Sequence, residues 1–211
     1  MVRAILDGRK TQTRRAVKPQ PQCSATLGFL IQQPAGKGSC AHFHHVDGSG
    51  IHSKELTVRC PYGQPGDQLW VREVWTPLFE EDTGFCGVAY AAGGMAEEDK
   101  RAGEYLDGTD HWRPSIHMPR WASRITLEVV SVRVERLNEI SESDAIAEGV
   151  FFVPGEGMIQ GHYLGGIYPR KGVRRTFPVP TQAYRSLWES INGPGSWAEN
   201  PWVWVVEFRR V

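Results

Sequence analysis

SRITLEVVSVRVERL, residues 123–137, carries the strongest β signal in the chain. Ile125, Leu127 and Val129 alternate with polar neighbours, the period-two pattern of a strand with one buried face. At the Val-Val-Ser-Val step (129–132) the alternation changes phase, which a β-bulge accommodates by inserting one residue. The residues that follow read as a helix. In ISESDAIAEGV (140–150), Ser141 with Asp144 three places on is a capping-box-like start. Ala145 and Ala147 favour helix, and Gly149 ends it.

Outward from this segment the β character persists. WVWVVEFRRV (202–211) is a β-branched and aromatic strand. KELTVRC (54–60), QLWVREVW (68–75) and FCGVAYAAGG (85–94) read as further strands. QAYRSLWESI reads as a helix capped by Thr181 and ended by Gly193. At the start, MVRAILDG reads as a short helix stopped by Gly8, and TQTRRAV as a strand ended by the prolines of KPQPQ. Five or six strands, two or three short helices and no βαβ rhythm predict a mainly β, α+β fold: a small antiparallel barrel with helices at its rim. The length of 211 residues suits one domain, 1–211, with insertions at about 23–53, 92–117 and 150–180. The first of these carries the turn signal VDGSG.

Composition narrows the function classes. Formal net charge is zero, so no global field draws the chain to nucleic acid or to an anionic membrane, and any such attraction comes from local clusters. No apolar stretch reaches the roughly 20 residues that span a bilayer, and the N-terminus has no secretory h-region. The expectation is a cytoplasmic protein without a membrane partner, its four cysteines (Cys23, Cys40, Cys60, Cys86) reduced. Cys23, Cys40, His42, His44, His45, His52 and Cys60 fall in and beside one insertion. They contain no Cys-x-x-Cys pair and fit no standard zinc spacing, so neither a metal nor another cofactor is expected.

The charge that stands out is local. DGRKTQTRR (7–15) sets a lysine, two threonines and three arginines behind Gly8. An extended Thr11–Arg15 would project Thr11, Thr13 and Arg15 from one face, with Lys10 at the junction able to reach it. RKGVRR (170–175) and the terminal Arg209-Arg210 are further basic clusters suited to phosphate contacts, and acidic loops such as AEEDK can equally neutralise them. Of eight tryptophans, Trp70, Trp188, Trp202 and Trp204 lie in elements and read as core, whereas Trp112 and Trp121 flank a loop and are the choice for base stacking.

Gly8-x-Lys10-x-x-Thr13-x-Arg15 resembles the signature of the ASCH domain family, a β-barrel related to the PUA RNA-binding fold. PGDQLWVREVW, the Ile140-Ser-x-x-Asp-Ala-x-x-Glu-Gly149 helix and the closing strand extend the resemblance over most of the chain, towards the ASCH proteins of phages and prophages. Members commonly carry a short apolar strand before the first helix, whereas this sequence starts at the helix; either it begins at an internal methionine or the barrel has an open edge, which would invite pairing with another chain. The chain is also similar, at its polar positions, to a bacterial branch of amidohydrolases that remove the acetyl group of N4-acetylcytidine. That similarity implies Lys10, Thr13 and Glu148 as catalytic residues; Gly8, Arg9, Arg14, Arg15, Trp112 and Trp121 are the residues expected to contact substrate. The chemistry is coherent. A neutral lysine activates a threonine hydroxyl, a glutamic acid protonates the departing amine, and Arg15 holds the oxyanion. The expected partner is RNA or a modified nucleoside. A non-catalytic RNA-binding regulator and a ribonuclease remain the alternative readings.

Overall fold

The computed structural model describes residues 1–21, 29–30, 39–47, 50–80, 84–92, 112–153, 162–164 and 177–211. In chain order its elements are α1 (Val2–Leu6), β1 (Gln12–Ala16), β2 (Phe29–Leu30), β3 (Cys40–Asp47), β4 (Gly50–Arg59), β5 (Gln68–Trp70), β6 (Trp75–Glu80) and β7 (Gly84–Tyr90). There follow β8 (Thr126–Arg136), α2 (Glu142–Ala147), β9 (Phe151–Val153), β10 (His162–Leu164), α3 (Pro180–Asn192) and β11 (Trp202–Arg210). The protein is mainly β with short helices, and its main sheet is curled and antiparallel. That sheet has the order β1-β11-β8-β5; β2-β3-β4, β6-β7 and β9-β10 form smaller sheets.

Contacts divide the chain into two compact units. Met1, Arg3–Gln68 and Glu128–Arg209 form one; Leu69–Leu127 with Val2 and Arg210–Val211 form the other. In the first unit the core lies between the sheet and two helices. Leu137, Ala145, Val150, Tyr184, Trp188, Val203 and Val205 are among its buried members. From Trp202 to Val206 every residue of β11 is buried, so this strand is covered on both faces. The second unit has a smaller core of Trp75, Met118 and Ala122.

The long strand behaves as its sequence predicts. Leu127 and Val129 are buried, then Val132 and Val134, so the inward parity switches within the Val-Val-Ser-Val step. The Ser141 hydroxyl accepts the Asp144 backbone N–H at 3.1 Å and starts α2, and the VDGSG segment joins paired strands, Asp47 opposite Gly50.

Two expectations are corrected. QLWVREVW is not one strand: β5 stops at Trp70 and β6 begins at Trp75. Between them Glu73 is fully buried, where its carboxylate accepts two bonds from Arg124 at 3.0 Å, and its backbone N–H turns to the Met118 sulfur instead of a neighbouring strand. Thr181 does not cap α3. Val179 occupies that place without a side-chain bond, and Pro180 takes the first turn, where a missing N–H costs nothing and the ring presets φ. Parts of all three expected insertions, including 93–111 and RKGVRR, lie outside the described residues.

The core makes a contrast that urea unfolding resolves. Leu137→Ala, at a fully buried position, is expected to destabilise by about 2–5 kcal/mol. Ile146→Ala, at an exposed position of α2, is expected to stay within about 0.5 kcal/mol of wild type.

Candidate functional site

Glycine geometry brings two distant segments together. Gly8 adopts φ +70° and lets the chain leave α1, after which the backbone N–H groups of Arg9 and Lys10 both donate to Ala4 O at 2.8 Å. Glu148 closes α2 at its C-cap, and Gly149 turns away with φ +97°. A Cβ on Gly149 would stand 3.3 Å from Ala4 Cβ and 3.4 Å from Lys10 Cβ, so the approach depends on glycine. The two segments then join backbone to backbone. Thr11 N–H donates to Ala147 O at 2.9 Å, and Lys10 and Glu148 form an antiparallel bridge.

This bridge buries an ion pair between residues 138 positions apart. Lys10 Nζ donates to Glu148 Oε2 at 2.7 Å, to Glu148 O at 2.8 Å and to Gln12 O at 2.7 Å. An ammonium has three donors, and all three are used. Both side chains are 4% exposed. Burial lowers the Lys10 pKa; the Glu148 carboxylate opposes that shift, and the Arg15 and Arg14 charges add to it.

Arg14, expected to contact substrate, is instead enclosed by acids. Its Nη2 donates to Glu135 Oε2 at 2.9 Å and Asp144 Oδ2 at 3.1 Å, and its Nη1 lies 3.5 Å from Glu148 Oε1. Arg133 continues the network to Glu135, Glu207 and Asp144. Arg14 thereby ties β1 to β8 and to α2. Not every polar atom is satisfied: Glu148 Oε1, Arg14 Nη1, Arg14 Nε and Gln12 Nε2 are buried without a hydrogen bond. A carboxylate oxygen and a guanidinium N–H therefore both stand ready for a further polar group.

Beside them lies a hollow of about 50 Å³. Lys10, Thr13, Arg14, Arg15 and Glu148 are among the residues that line it, and Tyr184, Leu187, Trp188 and Ile191 of α3 form its apolar wall. Its size admits roughly four waters, or a fragment of comparable bulk. Thr13 and Arg15 are half-buried, and Arg15 forms no ion pair among the described residues. Burial and the Glu148 charge push the Tyr184 phenol up, so it stays neutral at physiological pH.

The remaining expected residues are placed elsewhere. Gly8 is exposed. Arg9 pairs with Asp7 at 2.7 Å and lies 4.9 Å from the centre of the Phe151 ring. Trp112 and Trp121 are exposed and belong to the second unit. Cys40 and Cys60 are buried, and His42 Nδ1 is 2.9 Å from the Thr57 hydroxyl. Cys23 and the side chains of His44, His45 and His52 lie outside the described residues; among those described, no cluster of three His, Cys, Asp or Glu could hold a metal.

Two features escaped the sequence reading. Tyr184, Leu187, Trp188 and Ile191 sit at i, i+3, i+4 and i+7 of α3, a spacing that announces a buried stripe without saying that part of it lines a hollow. Asp144 carries a sequence signal only as the partner of the Ser141 cap and Glu135 carries none; nothing in the sequence pairs either with Arg14. No protein-family model, curated protein or solved structure matches the chain.

Lys10→Ala should cost about 3–5 kcal/mol, because it leaves the Glu148 carboxylate buried without its cation. Adding Glu148→Gln should recover part of that loss in urea unfolding; strictly additive losses would mean that the pair is not coupled.

The same network sets an acid limit. Burial raises the Asp144 pKa, but Arg14, the Ser141 hydroxyl and Arg133 outweigh it, and the carboxyl sits below its ordinary value of 3.8. A depressed carboxyl stabilises the fold above its unfolded pKa, and that contribution disappears as pH falls through the folded value. Wild type should therefore lose stability below about pH 4, and Asp144→Asn should lose less over that interval while being less stable at pH 7. Urea midpoints measured from pH 7 to pH 2 check this.

Proposed function

We propose that the chain is an ASCH-type, PUA-like barrel protein that binds RNA or a modified nucleoside at the Lys10–Thr13–Arg15–Glu148 hollow, and that it hydrolyses the amide of an N4-acylated cytosine there. The observation that carries this reading is the 2.7 Å contact between Lys10 Nζ and Glu148 Oε2, two residues that the chemistry requires together and the sequence sets 138 positions apart, beside Thr13 in one hollow. The hollow suits the acyl-amide end of the substrate, with the remainder of the nucleoside outside.

The resting pair is an ammonium and a carboxylate. Passing one proton along their hydrogen bond leaves a neutral amine and a carboxylic acid, a state that burial favours over two separate charges. The amine then takes the Thr13 hydroxyl proton as Oγ forms a bond to the acyl carbon, while Arg15 faces the developing oxyanion. The C–N bond breaks, and Glu148 gives its proton to the departing amine. Now a carboxylate, Glu148 takes a proton from water as the water oxygen attacks the acyl-threonine. Lys10 returns its proton to Thr13 Oγ, which releases the carboxylic acid product and regenerates the neutral pair.

Binding without chemistry is the second reading, and one observation favours it: all three Lys10 donors are already engaged, as in an ion pair that only holds segments together. Incubation with N4-acetylcytidine, followed by chromatography, separates the two. The catalytic reading expects release of cytidine and acetate, and a loss of about 10²- to 10⁴-fold in Thr13→Ala with unchanged circular dichroism. A Thr13→Ala protein as fast as wild type rules out the covalent route, and an inert wild-type protein leaves binding alone. Cleavage of labelled RNA that persists in Lys10→Ala would point to a ribonuclease acting elsewhere.

A further inference from the structure

The second unit carries an exposed face of a different kind. Its described aromatic rings form a connected edge-to-face series. Trp121 lies 5.9 Å from Trp75 and 5.4 Å from Phe85, with interplanar angles of 86° and 89°. Trp75 is buried and anchors the series, whereas Trp121 is 63% exposed and Phe85 52%. Large apolar rings left this open in a cluster mark a binding surface.

Arginines accompany the rings. Arg113 stands 5.3 Å from the centre of Trp75; Arg72 and Arg120 stand 4.6 and 5.9 Å from the centre of Trp70. All three are exposed, and none pairs with a carboxylate among the described residues. The buried acid of this unit, Glu73, is taken by Arg124 at 3.0 Å. The contrast with the first unit is chemical: there Arg14 and Arg133 pair with carboxylates, whereas here three guanidiniums lean on tryptophans. Arg72 donates one bond to Ile116 O at 3.1 Å and Arg120 one to the Thr126 hydroxyl at 3.4 Å; a ring attracts the positive charge without using the other N–H donors, which can meet an anion.

We propose that this face binds single-stranded nucleic acid, with bases stacking on Trp121 and Phe85 and phosphates meeting Arg72, Arg113 and Arg120. Open aromatic rings interleaved with unpaired cations suit a strand whose bases are unpaired and whose backbone carries one charge per residue. A duplex offers the same charges but keeps its bases stacked inside. The site is separate from the Lys10–Glu148 hollow and stands or falls independently of the chemistry proposed there.

Fluorescence anisotropy with labelled twelve-nucleotide oligo(U) and oligo(dT), and with a duplex of equal length, tests it on the whole chain. Both single strands are expected to bind more tightly than the duplex, and a preference between them identifies RNA or DNA as the ligand. Trp121→Ala should weaken binding about 5- to 150-fold. Arg113→Gln/Arg120→Gln should weaken it and flatten its dependence on salt. Arg185→Gln, at an exposed cation of the first unit, should bind the strands as wild type does, which separates this face from general surface charge. These side chains are exposed, so thermal unfolding should show the variants folded. Absence of binding at low salt, equal affinity for duplex, or affinity indifferent to both sets of substitutions overturns the proposal.

Discussion

Desolvating one ammonium and one carboxylate together is the constraint on which the first unit turns. Neither Lys10 nor Glu148 could be buried alone, since an isolated ion loses several kcal/mol of hydration. Together they remain costly unless every remaining donor finds an acceptor. The backbone answers this for the lysine by presenting Gln12 O and Glu148 O to its two other protons. Those carbonyls are in place because Gly8 and Gly149 allow α1, β1 and the end of α2 to close on one another. The ion pair and the local fold therefore specify each other.

The second layer of charge follows from the first. Glu148 sits at the C-terminus of α2, where the helix dipole disfavours an anion, and two cations offset that placement. Arg14 is drawn away from Glu148 by Glu135 and Asp144, which take the hydrogen bonds of its Nη2 and leave Nη1 and Glu148 Oε1 without one. The incomplete satisfaction is thus local and has a cause: three acids compete for one guanidinium at the edge of a hollow.

Much of the β architecture was legible because it rests on local pattern. The alternation of 123–137, its phase change, the Ser141 cap and the closing strand all emerged where expected. QLWVREVW misled because its apolar residues are continuous while Glu73 among them needs a partner, Arg124, that lies 51 residues away. The Thr181 cap misled because Pro180 competes for the helix start and takes it. For the hollow, β1 reads plainly only after the alternation is applied: Gln12 and Arg14 are buried while Thr13 and Arg15 are half-buried, and Thr13, Arg14 and Arg15 all line the hollow. Glu148 was reached through resemblance, since no periodicity links it to Lys10. The division into two units had no signal in composition.

That alternation also bears on what the basic start of the chain is for. Charge counted along DGRKTQTRR treats four cations alike, but their energetic situations differ. Arg9 is satisfied by Asp7 next door, Lys10 and Arg14 by acids brought from β8 and α2, and Arg15 by no described acid. Three of the four charges are therefore spent on holding the protein together, and only Arg15 retains the full attraction for an incoming anion at the hollow. A basic cluster in sequence is thus a poor measure of ligand-facing charge. The useful quantity is the set of guanidiniums and ammoniums that the fold leaves without a carboxylate; among the described residues Arg15 is such a side chain at the hollow, and Arg72, Arg113 and Arg120 are such side chains on the aromatic face of the second unit.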